Sequence, residues 1–234
     1  MNEKLGMNWL RKRQDSFLAD HYLGMHVTII SLALATAGVA AASLITRPEN
    51  SPAHLALLWL LWSGSLLAAS AAYGGAMVGA FALPPFIPST ADLLLPLSMG
   101  VTEFLLFTVL IRQVTSAIQF DKLVTAWFAV MAIFGFIAWA SVLRARSLFA
   151  RAMSDKVYSG RAKGIIQNYI SLLRFDLVGT ASVFFVAAIA ALLRFFGLTS
   201  EYLAYSATSL LLLVLIGSLI SQYWTGKIWR KHLG

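Results

Sequence analysis

Six long apolar stretches, separated by shorter polar segments, account for most of the chain. Each is close to the roughly 20 residues that an α-helix needs to cross about 30 Å of hydrocarbon. The pattern therefore predicts an all-α, polytopic membrane protein with six transmembrane helices. The predicted spans are residues 25–46, 54–83, 91–114, 123–143, 177–198 and 203–224. Residues 1–24 then form an N-terminal segment, 25–224 the transmembrane domain with a loop at 144–176, and 225–234 a basic tail.

The distribution of positive charge predicts how these helices are oriented. Of the 18 Lys and Arg residues, 14 lie before the first span, in the 144–176 loop or after the last span. Cytoplasmic segments of membrane proteins collect Lys and Arg. We therefore expect both termini and the loop to be cytoplasmic, in a bacterial cytoplasmic (inner) membrane. Topology alone then explains the net charge of +8, and no nucleic-acid partner is needed.

Two polar segments have the composition of amphipathic helices that lie on a membrane surface. Residues 8–22 mix aromatic and aliphatic side chains with basic ones, which suits contact with anionic head groups. In the loop, apolar residues recur at helical spacing after a break at Ser159 and Gly160, and Asp176 is expected at the start of the fifth helix, where its charge suits the helix dipole. The loop residues predicted to meet lipid or a partner are Arg144, Arg146, Arg151, Lys156, Arg161, Lys163 and Arg174.

Glu103 lies in the middle of the third apolar stretch and is the one acid expected deep in hydrocarbon. A carboxylate there is costly to bury, so an acid at such a position is a candidate for function. At 100° per residue, Pro96, Gly100, Glu103 and Phe107 fall on one stripe of the helix. Pro96 removes a backbone hydrogen bond and is expected to bend the helix beside the carboxyl. The predicted ion or proton path comprises Glu103, Pro96, Gly100, Ser98 and Thr102.

A structural role is the alternative for this acid. A protonated Glu103 could hydrogen-bond a Ser, Thr or Tyr across a helix or subunit contact, since a neutral acid is easier to keep in lipid than a charged one. A third possibility is that the depth of the span is misplaced. On the second span, Gly64, Gly75 and Gly79 belong to a row of small residues that predicts close packing against another helix.

Residues for other chemistry were sought and not found. The chain has no Cys, and its four His residues are too widely separated for a haem or metal pair. No phosphate-binding loop or nucleophile elbow is present, so we expect no cofactor and no metal, and nothing favours an enzyme.

Two hypotheses of different classes remain. The first is a small channel or transporter subunit, oligomeric or joined to other membrane proteins, with Glu103 in an ion or proton path. The second is a non-catalytic subunit or anchor of a larger membrane complex, docked through the second span or the 144–176 loop. Reconstituted ion flux distinguishes the first from the second, and co-purifying partners distinguish the second from the first.

Overall fold

The structure, a computed structural model, describes residues 23–46, 51–82, 90–112, 116–154 and 160–233. Within these ranges all regular structure is α-helical. The helices are α1 (Leu23–Ile45), α2 (Pro52–Ala82), α3 (Thr90–Ile111), α4 (Ala117–Ser154), α5 (Gly160–Phe195) and α6 (Glu201–Leu233). Each of the six is long and apolar enough to cross a membrane. The predicted all-α architecture is confirmed for the described residues, with six helices that have the length and composition of membrane spans, as expected for an integral membrane protein.

Local capping signals set several of the helix ends. Ser51 accepts a hydrogen bond from the backbone N–H of His54 at 3.2 Å, and Pro52 occupies the first position of α2, where its missing N–H costs nothing. Ser116 caps α4 in the same way. α5 ends at Phe195, and the turn after it contains Gly197, whose φ of +89° is open to glycine and strained for other residues. These local signals set where the helices end, whereas burial of apolar side chains stabilises their central turns.

The helices are arranged as a ring. Following the main helix contacts, the order around the ring is α1, α3, α4, α5, α6 and α2, with α2 again beside α1. α2 also contacts α3 and α4 and so reaches across the interior. Two pairs of ring neighbours, α1 with α3 and α2 with α6, are therefore not consecutive in the chain.

Contacts along the helices give their relative directions. Gly100, midway along α3, packs against Ile29 near the start of α1, and the ends of the two helices meet where Ser43 donates to the carbonyl of Ile111, so α1 and α3 run parallel. α6 runs parallel to α2, because His54 pairs with Glu201 near their starts. We call the end where α1, α3 and α5 begin the near end, and the opposite one the far end.

The far half of the bundle is tightly packed. Its core combines large side chains, most of them without solvent exposure, from α2, α3, α4 and α6. In the middle of this core the indole N–H of Trp127 donates to Ser65 Oγ at 2.9 Å, which satisfies a buried donor in an apolar layer. The principal core residues are Leu57, Leu58, Leu61, Leu106, Phe107, Leu110, Val124, Trp127, Phe128 and Leu211.

Ion pairs close the far end. Arg194, whose side chain is 1% exposed, donates to Asp121 at 2.6 Å and ties the end of α5 to the start of α4. His54 Nε2 lies 2.8 Å from Glu201 Oε1, and its ring stacks on Phe120 with the ring centres 3.9 Å apart. His54 therefore belongs to a contact between α2, α4 and α6.

The sequence prediction was wrong about the start of the fifth helix. α5 runs without a break from Gly160, so Asp176 lies 16 residues inside it, far from the positive end of the helix dipole. A separate surface helix in the fourth loop is not confirmed either, since this stretch continues into the spanning helix. Tyr169 and Leu173, two apolar loop residues expected to lie on the membrane surface or on a partner, are buried in the bundle, and the Tyr169 ring lies 4.8 Å from that of Phe149 on α4.

Other predicted segments differ in how far the structure reaches them. The amphipathic N-terminal segment, residues 8–22, lies outside the described residues, as does Lys156. α4 continues through Ser154 and α6 through Leu233, so residues 225–233 prolong the sixth helix. The loop between α4 and α5 is correspondingly much shorter than the predicted 144–176.

Candidate functional site

A cavity of about 190 Å³ lies inside the ring and is lined by residues from all six helices. The lining residues come from the starts of α1, α3 and α5 and from the ends of α2, α4 and α6. These segments share the near half of the bundle, so the cavity occupies that half. At about 30 Å³ per molecule, a space of this size corresponds to roughly six waters.

Glu103 lies on the wall of this cavity and is only 3% exposed. It is nine residues beyond Leu94, where the apolar part of α3 begins, and so lies about 14 Å into the span at 1.5 Å per residue. No hydrogen bond or ion pair to its carboxyl group occurs among the described residues. The carboxyl is therefore in the interior, away from lipid, as its position on the stripe with Pro96 and Phe107 predicts.

Asp176 on α5 is the second carboxylate of the cavity, and sequence reasoning missed it. It is half-buried, and its Oδ1 atom is fully enclosed without a hydrogen-bond donor in the part of the chain that is described. The interruption of the apolar pattern by Arg174 and Asp176 resembled a helix boundary. A helical signal was present nonetheless, because Tyr169, Leu173, Asp176 and Thr180 recur at intervals of four, three and four.

Uncharged polar groups complete the wall. Gln222 on α6 donates from Nε2 to the carbonyl of Ala71 at 2.9 Å, which ties the near ends of α6 and α2 together. Its Oε1 atom is buried and accepts no hydrogen bond within the described ranges. Hydroxyl-bearing residues from four helices also line the space. They are Tyr73, Ser141, Tyr169, Thr180 and Ser218.

The predicted path residues on α3 are divided by the structure. Pro96 and Glu103 line the cavity. Gly100 faces α1 instead, where a Cβ atom would collide with the side chain of Ile29. Thr102 donates its hydroxyl to the carbonyl of Met99 at 2.7 Å within its own helix, and neither it nor Ser98 is among the residues found on the cavity wall.

The glycines predicted for helix packing lie at two kinds of position. A Cβ atom on Gly64 would come within 3.2 Å of the Trp127 ring on α4, and one on Gly75 within 3.3 Å of Gln222 on α6. Gly79 belongs to α2, but its surroundings are outside what is described. A closer approach, which sequence reasoning missed, occurs at Gly135 on α4, where a Cβ would lie 2.6 Å from the backbone nitrogen of Phe184.

Six of the basic residues predicted to meet lipid or a partner belong to α4 and α5 and lie toward the near end, and the seventh, Lys156, lies outside the described residues. Arg144 and Arg146 are half-buried on α4, and Arg174 is exposed on α5. The side-chain surroundings of Arg151, Arg161 and Lys163 are not described. Arg144, Arg146 and Arg174 are not among the lining residues of the cavity.

The chemistry available in the cavity is that of two carboxyl groups in apolar surroundings. Among the described residues, no three His, Cys, Asp or Glu side chains lie close enough to hold a metal ion. The arrangement can bind or release protons and can balance one or two positive charges. Comparison with protein-family models, with curated proteins and with solved structures found no match.

Proposed function

We propose that this protein is a small membrane transporter subunit in which Glu103 lies in the path of an ion or a proton. The observation that carries the proposal is the acid Glu103, a residue only 3% exposed, on the wall of a cavity lined by all six apolar helices. Keeping an acid ionised at this depth costs on the order of several kcal/mol, so such an acid is rarely present without a function.

The hydrogen-bonding pattern favours this role over a structural one. An acid that holds helices together must donate to or accept from a neighbouring helix. Glu103 makes no such bond within the described residues, whereas Ser65, Trp127 and Gln222 do bond across helices. The polar contacts that hold this bundle together are thus made by other residues.

The packing of the far half favours a carrier over an open channel. The layer containing Leu61, Phe107 and Trp127 has no solvent exposure and separates Glu103 from the far end. A continuous pore would need polar or open space through this layer. In a carrier, the helices would rearrange to expose the site to the other side, as in alternating access.

The positive-inside rule supports a cytoplasmic orientation of the cavity. The near end carries Arg144, Arg146 and Arg174, together with the exposed aromatic residues Tyr223 and Trp224 that suit a membrane interface. The near ends of α1 and α6, the basic residues and the cavity would therefore lie toward the same face of the membrane. Cargo or protons would enter the site from the cytoplasm or leave it there.

Proton flux through reconstituted protein tests the proposal. Liposomes that contain the protein are given a pH gradient, with a potassium diffusion potential to balance charge, and internal pH is followed with a fluorescent dye. Wild-type protein is expected to dissipate the gradient. Glu103→Gln should slow this flux on the order of 100-fold, because a positioned acid or base contributes roughly 10²–10⁴ to proton-transfer rates.

Glu201→Gln is the matched control. It makes the same chemical change in an exposed acid at the far end, and its flux should equal that of the wild type. Equal flux through wild type and Glu103→Gln would remove the path assignment. Flux no higher than in empty liposomes, with specific proteins co-purifying, would favour a non-transporting subunit of a larger complex.

A further inference from the structure

The charges on the cavity wall are all of one sign. Glu103 and Asp176 line it from α3 and α5, and no Lys, Arg or His from any of the six helices is among its lining residues in the described part of the chain. The titratable groups that accompany them are the phenols Tyr73 and Tyr169. Two acids enclosed without a basic partner favour an occupant that brings positive charge.

Most of the rest of the wall is apolar, and this restricts the kind of cation. Magnesium and calcium take about six to eight oxygen ligands, whereas the two carboxylates, Gln222 and the five hydroxyl groups form the smaller part of this wall, among aliphatic and aromatic side chains. Contact with an apolar wall is favourable only for an occupant that buries apolar surface of its own. Residues that supply this surface include Ile29, Met99, Phe134, Val183 and Leu215.

The size of the cavity limits the occupant to a small molecule. A dry cavity of about 150 Å³ in another protein is known to hold benzene, so 190 Å³ suits an occupant of roughly eight to ten non-hydrogen atoms. The paired rings of Phe149 and Tyr169, 4.8 Å apart, lie on the same wall. Aromatic faces attract organic cations, and the enclosed Oδ1 of Asp176 offers an acceptor to an N–H donor.

We infer that the cavity binds a small organic cation with an apolar group, such as an aromatic amine. This inference rests on the proposed function, because it names the class of cargo that the Glu103 path would carry. The carboxyl of Glu103 balances the positive charge, Asp176 accepts a hydrogen bond from the ammonium group, and the apolar walls hold the hydrocarbon part. Charge and apolar contact act together, so a molecule with only one of them binds weakly.

Equilibrium binding to the purified full-length protein in detergent tests this directly. Benzylamine is titrated by calorimetry, with benzyl alcohol as the neutral analogue and phenylacetate as the anionic one. From the affinity per atom of small ligands we expect benzylamine to bind with a Kd on the order of 0.1–1 mM. Benzyl alcohol should bind at least about tenfold more weakly and phenylacetate not measurably, because only the cation matches the acids.

Variants assign the binding to the cavity. Glu103→Gln and Asp176→Asn should each weaken benzylamine binding about tenfold or more, while Glu201→Gln leaves it unchanged. The comparison of the three probes on the wild type needs no variant and decides the question even if a variant does not fold. Equal binding of benzylamine and benzyl alcohol, or binding that both cavity variants retain, would overturn the inference.

The binding and flux experiments can fail separately. Glu103-dependent proton flux without benzylamine binding would overturn the organic-cation inference and leave the proposed function in place. Benzylamine binding that needs Glu103, in a protein without flux, would support the cation site and count against transport.

Discussion

A single hydroxyl group accepts the hydrogen bond of Trp127, the largest fully buried side chain among the described residues. Ser65 on α2 accepts the indole N–H of Trp127 at 2.9 Å and donates to the carbonyl of Leu61, and neither Ser65 nor Trp127 is exposed. Its O–H donor and one of its two acceptor lone pairs are therefore used. The residue belongs to the packed layer that separates the cavity from the far end.

Ser65→Ala should destabilise the protein by about 1–3 kcal/mol, because it leaves the indole N–H of Trp127 buried without an acceptor. The measurement is unfolding in a sodium dodecyl sulfate titration, followed by tryptophan fluorescence. Ser31→Ala is the control, since this exposed hydroxyl bonds only to its own helix, and its effect should stay within about 0.5 kcal/mol. Equal stability of the two variants would contradict the assigned role of Ser65.

The two carboxylates of the cavity were not equally predictable. Glu103 could be singled out because no other charge interrupts its apolar stretch, so its depth was clear from the sequence alone. Asp176 follows Arg174 by two residues, and a pair of charges resembles the edge of a span. Residues two positions apart on a helix point in directions about 200° apart around its axis. Arg174 therefore faces outward while Asp176 faces the cavity.

Helices α4 and α5 approach each other closely at Gly135. At Gly135, hydrogen in place of a side chain lets the α5 backbone at Phe184 lie against α4. This glycine also lines the cavity, so the same close approach shapes its wall. The second-span glycines could be noticed because they recur in a row, whereas Gly135 stands alone in a long apolar run and gives no such pattern.

Gly135→Ala should cost about 1–3 kcal/mol of stability, because its Cβ would lie 2.6 Å from the backbone nitrogen of Phe184, and backbone cannot move aside as a flexible side chain can. The same detergent titration measures the cost. Gly217→Ala provides the comparison, since nothing lies within 4 Å of its Cβ position and alanine favours a helix. We expect it to be neutral or slightly stabilising, and a reversed order would show that α4 and α5 are further apart.

On the scale of the whole molecule, sequence and structure differ most in helix arrangement. The number and approximate limits of the spans follow from apolar length, which any lipid-facing or core helix must satisfy. The order around the ring depends on side-chain fit between helices that are distant in the chain, and apolar periodicity contains little information about partners. The cavity is a product of that order, so it could not be predicted from the sequence.

Cross-linking tests the ring, and the absence of native Cys means that only introduced thiols react. Ile29→Cys combined with Gly100→Cys should form a disulfide on mild oxidation, because these positions touch between the parallel helices α1 and α3. Gly38→Cys with Gly100→Cys should not, since Gly38 has no neighbour within 4 Å. Loss of free thiol, measured by mass, reports the result. The opposite pattern would exclude α1 and α3 as neighbours in this register.

The ring order also has a consequence for biosynthesis. The seam between α2 and α6 joins α2 to a helix that is synthesised much later, and the bonds across it include those of His54 with Glu201, of Tyr205 with the carbonyl of Ala53 and of Gln222 with the carbonyl of Ala71. During translation, the face of α2 that packs against α6 must contact lipid or an insertion factor until α6 is inserted. Nascent chains that stop short of α6 should then be preferred substrates for membrane quality-control proteases.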